Sequence, residues 1–92
     1  MTVEVRVPSV LRAVTQGEKV VRGEPGTVAE LIEDLEGRYP GLRAQIVEQD
    51  GSLRRFVNVY VNEEDIRYTG HLKTPVQGGD VVSILPAIAG GR

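Results

Sequence analysis

The sequence contains no cysteine and no tryptophan, one histidine and one phenylalanine. Without cysteine there can be no disulfide, thiolate metal site, cysteine nucleophile or persulfide on the chain. Redox compartment is not readable from that absence. A Ser-His-Asp arrangement would have to run through His71, which lies in the turn-like stretch Tyr68-Thr69-Gly70-His71 and reads as a solvated surface residue. Positive charge is not in excess: 11 Lys and Arg face 13 Asp and Glu, for a net charge of −2. That argues against a general nucleic-acid binder, which normally carries a basic stripe. No apolar run is long enough to span a membrane. Met1-Thr2-Val3-Glu4-Val5 has neither the charged start nor the apolar stretch of a secretion signal. The expected setting is the cytoplasm, with no membrane or nucleic-acid partner. Also missing are a nucleophile–base pair, a metal constellation and a phosphate-binding glycine pattern. No catalytic residue, bound cofactor or metal is therefore expected, and the chain does not read as an enzyme. The acidic run Asn62-Glu63-Glu64-Asp65 lacks calcium-loop spacing and reads as a solvated turn.

What is present is ordinary for one small globular domain. The 92 residues are 40% hydrophobic and 26% charged. A chain of this size buries roughly 60–65% of its unfolded surface, enough for a small core. Val3-Glu4-Val5-Arg6-Val7 alternates apolar and charged residues as a half-buried strand does, and Pro8 ends it. Lys19-Val20-Val21-Arg22, after the turn-rich Thr15-Gln16-Gly17-Glu18, reads as its antiparallel partner. Thr27-Val28-Ala29-Glu30 has the form of a capping box. Val28, Leu31, Ile32 and Leu35 then fall on one helical face, and Pro40 stops the helix near Tyr39. Leu42 and Ile46 are spaced for one short helical turn. Phe56-Val57-Asn58-Val59-Tyr60-Val61 is the clearest strand, with Val57, Val59 and Val61 on one face and Asn58 and Tyr60 on the other. Ile66, Leu72 and Val76 read as single anchors in an irregular crossing. Gly78-Gly79-Asp80 turns into a last strand, Val81–Leu85, with Val82 and Ile84 inward and Pro86 ending the ladder.

Strands at both ends with one long helix between them predict an α+β fold. If the last strand lies beside the first, the pair is parallel and its long connection crosses the sheet. One helix then covers the inner face of a small mixed sheet of four to five strands. This is the β-grasp, or ubiquitin-like, arrangement, expected over residues 1–86. Residues 87–92 form a flexible C-terminal tail in this reading. Small residues and Gly90-Gly91 follow Pro86, and glycine can enter a channel too narrow for other residues. Ala87 to Gly91 would reach roughly 16 Å if extended. The tail is either used as such or is an ordinary frayed end.

The chain resembles the β-grasp sulfur carriers of the MoaD/ThiS group. The resemblance rests on Pro8-Ser9-Val10-Leu11-Arg12, the helix closing at Tyr39-Pro40-Gly41-Leu42, and Val59-Tyr60-Val61-Asn62. Its most specific part is Gly79-Asp80-Val81-Val82-Ser83-Ile84-Leu85-Pro86 leading to Ala89-Gly90-Gly91. The run Arg55 to Arg67 is most similar to the CysO-type members, which carry sulfur for cysteine or other sulfur-containing metabolites. The resemblance implies that an E1-like partner adenylates the carboxylate of Gly91 with ATP and magnesium. Sulfur transfer then gives a thiocarboxylate that a second, sulfur-accepting biosynthetic enzyme consumes. Gly90 and Ala89 are implied to thread the partner's channel. Arg92 departs from the active family pattern, which ends at Gly-Gly, and is read as a precursor residue removed by a JAMM-type protease. The rival readings are a MoaD-like small subunit of molybdopterin synthase and a plain ubiquitin-like binding module. If the valines of the clearest strand face the helix, Phe56, Tyr60 and Leu85 lie on the uncovered face near the tail and are expected to form a partner surface.

Overall fold

The computed structural model describes residues 1–86. In chain order its elements are β1 (Val3–Arg6), β2 (Val20–Gly23), β3 (Gly26–Thr27), α1 (Val28–Arg38), α2 (Leu42–Ile46), β4 (Val57–Val61), β5 (Glu64–Asp65), β6 (Pro75–Val76) and β7 (Val81–Pro86). Single 3-10 turns lie at Ser9–Leu11, Ile66–Tyr68 and His71–Lys73.

Five strands form a mixed sheet in the order β2-β1-β7-β4-β5, and β3 and β6 form a separate two-stranded ladder. The last strand runs parallel to the first, with Glu4 opposite Val81 and Arg6 opposite Ser83. The other pairings are antiparallel. This is the expected β-grasp. Side chains alternate faces along a strand, so the parallel pair puts Val5 and Val82 on the same side. Val3, Val21, Val59 and Ile84 join them in the core.

Helix α1 covers that inner face. The Glu30 amide donates to Thr27 Oγ1 at 3.1 Å and the Thr27 amide donates to Glu30 Oε1 at 2.9 Å, which completes the capping box. A cap of this kind contributes about 1 kcal/mol. Val28, Leu31, Ile32 and Leu35 are buried against the sheet. The helix stops at Tyr39, whose amide donates to the Leu35 carbonyl, and Pro40 follows. Gly41 then takes φ 101°, which other residues resist, and α2 begins. The Glu36 carboxylate accepts from the amides of Gly41 at 3.0 Å and Arg43 at 2.7 Å, tying the start of α2 to the end of α1. Those amides hold the Glu36 carboxyl below the usual carboxylate range, the Arg43 amide most of all.

Two expectations need correction. Pro86 does not stop the ladder short of itself; it is the last residue of β7, opposite Val57. Past Ser83, β7 has lost β1 as a pairing partner, so a missing N–H costs little there. The second strand sits one residue later than read, because Gly23 pairs with Val3 and Lys19 only leads in. The irregular crossing is as expected: Ile66 and Val76 are buried and Leu72 packs partly against the core.

Candidate partner-binding surface

The β4–β7 register decides what the uncovered face of the sheet presents. Val59 opposes Ile84 and Val61 opposes Val82, all buried, so the residues between them point the other way. Tyr60 opposes Ser83, and Asn58 opposes Leu85. On the other side of β7, Arg6 lies opposite Ser83. Tyr60 is half-buried and Leu85 is 47% exposed. Tyr60, Glu63, Ser83 and Leu85 line a shallow depression of about 250 Å³. It shares Glu63 and Ser83 with a second, more polar one bounded by Arg6, Asn62 and Val81.

Phe56 is 50% exposed just before β4. Its neighbour Val57 opposes Pro86, so Phe56 lies beside the point where the chain passes to residue 87. Phe56 and Leu85 therefore stand at the Pro86 end of the β4–β7 pair, whereas Tyr60, opposite Ser83 and Asp65, stands toward the β4–β5 turn. Ala89, Gly90, Gly91 and Arg92 lie outside the described residues, as does the expected flexibility of residues 87–92.

At its other end, β7 is anchored by polar contacts. The Asn62 side chain donates to Asp80 Oδ1 at 3.0 Å and accepts from the Val81 amide at 2.9 Å. The Gln77 amide donates to Asp80 Oδ2 at 2.8 Å. The Gln77 amide first, then the Asn62 side chain, holds the Asp80 carboxyl below the usual carboxylate range. Asn62 and Glu63 make the two-residue reversal into β5 with φ values of 49° and 75°. Positive φ at both positions is what a tight antiparallel hairpin of this length demands. The acidic run is thus a hairpin turn. His71 is exposed in a 3-10 turn. Among the described residues no three His, Cys, Asp or Glu side chains are gathered in a way that could hold a metal ion.

One residue that shapes this surface escapes sequence reasoning. Arg67, in the connector after β5, reaches back to the start of β4 and to Asn58. A lone arginine in a polar stretch carries no periodic signal, so only the fold shows that it meets these acceptors.

The sequence pattern that defines the ThiS family matches residues 5–91. The chain belongs to the ThiS family. It is 45% identical over 93 aligned residues to the sulfur carrier protein CysO of Mycobacterium tuberculosis, covering 99% of this chain and 100% of that one. The crystal structure of that CysO superposes with a TM-score of 0.90 at 43% identity, over 94% of this chain and 99% of its own. A chain of the BexX/CysO complex of Amycolatopsis orientalis gives a TM-score of 0.91 at 48% identity, over 97% and 99%. This ThiS-family member is accordingly a ubiquitin-like protein of the sulfur-carrier kind, and not an enzyme. Among the described residues, no helix is long and apolar enough to cross a membrane.

Proposed function

We propose that this protein carries sulfur on its terminal carbonyl. The observation behind the proposal is full-length likeness to CysO combined with Gly90-Gly91 at the end of the family match. In this reading a protease of the JAMM type first hydrolyses the Gly91–Arg92 peptide bond and frees the Gly91 carboxylate. An E1-like enzyme then joins that carboxylate to the α-phosphorus of ATP, with magnesium, and pyrophosphate leaves. Hydrosulfide attacks the acyl carbon, AMP departs with the acyl–phosphate oxygen bond broken, and loss of the S–H proton leaves a thiocarboxylate. A carboxylate is a poor acyl donor at neutral pH, and the adenylate supplies the missing leaving group. A biosynthetic enzyme making cysteine or another sulfur-containing metabolite consumes the thiocarboxylate sulfur. Gly90 and Ala89 pass through the channel that admits the tail, where a larger side chain would collide. Residues 1–86 act as the handle, recognised through Phe56, Tyr60 and Leu85. Because sulfur rides on the chain terminus, a sequence without cysteine is sufficient for the task.

The test is the intact mass of protein from its native host, before and after incubation with the E1-like enzyme, ATP and a sulfur source. The expected record is loss of Arg92 followed by exchange of one oxygen for sulfur at Gly91. Mass still ending in Arg92, with the activating enzyme competent on another carrier, would refute the proposal.

A further inference from the structure

The segment before β4, opposite Pro86, is tied to α2 through the Arg54 amide and the Ile46 carbonyl at 2.9 Å, and on its open edge by one side chain. The pairing of β5 with β4 covers only Tyr60 and Val61, so the earlier part of that edge has no strand beside it. Arg67 fills the gap. Its Nη2 donates to the carbonyls of Arg54 at 3.0 Å and Val57 at 2.9 Å, with a longer contact to Arg55 at 3.4 Å. Its Nη1 donates to Asn58 Oδ1 at 2.7 Å. The Arg67 amide donates in turn to Asp65 Oδ1 at 2.9 Å, which fixes the turn that carries it. A planar guanidinium can serve several acceptors spread along one edge, whereas a lysine ammonium is a single point on a flexible stem.

What this clamp displays is Arg55 and Phe56. Both are exposed, and the Arg55 guanidinium lies 5.9 Å from the centre of the Phe56 ring. Arg54, next door, is occupied with Glu48, but Arg55 has no carboxylate partner among the described residues. Aromatic and arginine side chains held rigid at a surface are the residue types on which binding energy concentrates. Lys19, whose carbonyl accepts from the Val7 amide, lies at the same end of the sheet with the exposed Glu18 beside it, which leaves Arg55 as the cation there without a neighbouring carboxylate, while Glu63, Glu64 and Asp80 sit at the far ends of β4 and β7. An acidic partner surface would therefore attract the tail end and repel the opposite one, orienting the encounter.

We propose that Arg55 and Phe56, positioned by Arg67, form a recognition knob beside the tail. Its partner is the enzyme surface at the mouth of the tail-accepting channel, which offers a carboxylate to Arg55 next to an apolar pocket for Phe56. This deepens the carrier reading and rests on it.

The test uses the chain after removal of Arg92 and BexX of Amycolatopsis orientalis as the probe, with affinity measured across a range of salt concentrations. Arg55→Glu and Phe56→Ala each weaken binding about tenfold or more at unchanged melting temperature. Arg55→Glu also flattens the salt dependence. Arg67→Lys keeps the charge and the salt dependence but weakens binding about tenfold per folded molecule, and the Val57 amide exchanges faster with solvent. Glu64→Lys, at the far end, does not weaken binding. Equal affinities for the parent, Arg55→Glu and Phe56→Ala overturn the knob while leaving the carrier reading intact. Faster exchange in Arg67→Lys with unaltered affinity overturns the positioning role. A parent chain that does not bind BexX overturns the knob, and the carrier reading is decided separately by the intact-mass test.

Discussion

Ile84 and Leu85 are neighbours in β7, yet they are expected to respond to truncation in opposite ways. Ile84 is 3% exposed in the core and Leu85 is 47% exposed on the uncovered face. Ile84→Ala removes buried methyl groups and leaves a cavity between the sheet and α1, a change that costs about 2–5 kcal/mol. Complete burial of a leucine is worth roughly 1.5–3 kcal/mol, and only about half of Leu85 is covered, so Leu85→Ala costs about 1 kcal/mol or less. In a domain of this size each kcal/mol moves the melting temperature by about 4–8 °C. Ile84→Ala should therefore melt at least about 8 °C lower, and Leu85→Ala about 8 °C lower or less. The assay is urea unfolding with the slope compared between variants, followed by partner binding per folded molecule. Ile84→Ala should bind like the parent once corrected for unfolded protein, and Leu85→Ala should bind more weakly. Equal destabilisation by the two substitutions, or a binding loss only in Ile84→Ala, would refute the register on which the partner surface depends.

Two further predictions concern the frame. A Cβ added at Gly23 would lie 2.4 Å from Leu31 Cδ1 and 3.3 Å from Asp34 Oδ2, and Leu31 is packed in the core. Gly23→Ala should cost about 1–3 kcal/mol by calorimetry, whereas Gly37→Ala, where a Cβ meets nothing within 4 Å, should stabilise by about 0.5–1 kcal/mol. Glu36 and Asp80 both titrate below the usual carboxylate range in the folded state, because amides and, for Asp80, Asn62 donate to their ionised forms. A lowered folded pKa gives stability that is present above the unfolded pKa and lost as pH falls through the folded one. The urea midpoint of the parent should therefore drop from about pH 5 toward about pH 3, and Glu36→Gln and Asp80→Asn should each flatten that drop. An unchanged acid slope in both variants would contradict the assigned contacts.

Legibility followed the length of the pattern. Helix α1 was readable because its cap lies within three residues of sequence and its apolar face repeats four times, so both signals are local. The same holds for β4, where three valines alternate with Asn58 and Tyr60. The two-residue strands β3, β5 and β6 were not readable, because two residues contain no period and their pairing depends on what folding brings alongside. The pairing of Asn62 with Asp80, 18 residues away, lies beyond local reach for the same reason.

The sequence alone determined the covalent chemistry open to this protein. With no cysteine, no thiol, disulfide or persulfide can form on the chain, and that follows from composition without a fold. It also determined which valines share a face within each strand, since alternation is a property of the strand itself. Only the tertiary structure decided what stands beside Pro86. Placing Val57 opposite Pro86, and Arg67 against the carbonyls of Arg54 and Val57, requires segments distant in sequence to meet. Arg67 is polar, isolated and aperiodic, so its role is a matter of distance in space, which no one-dimensional pattern records.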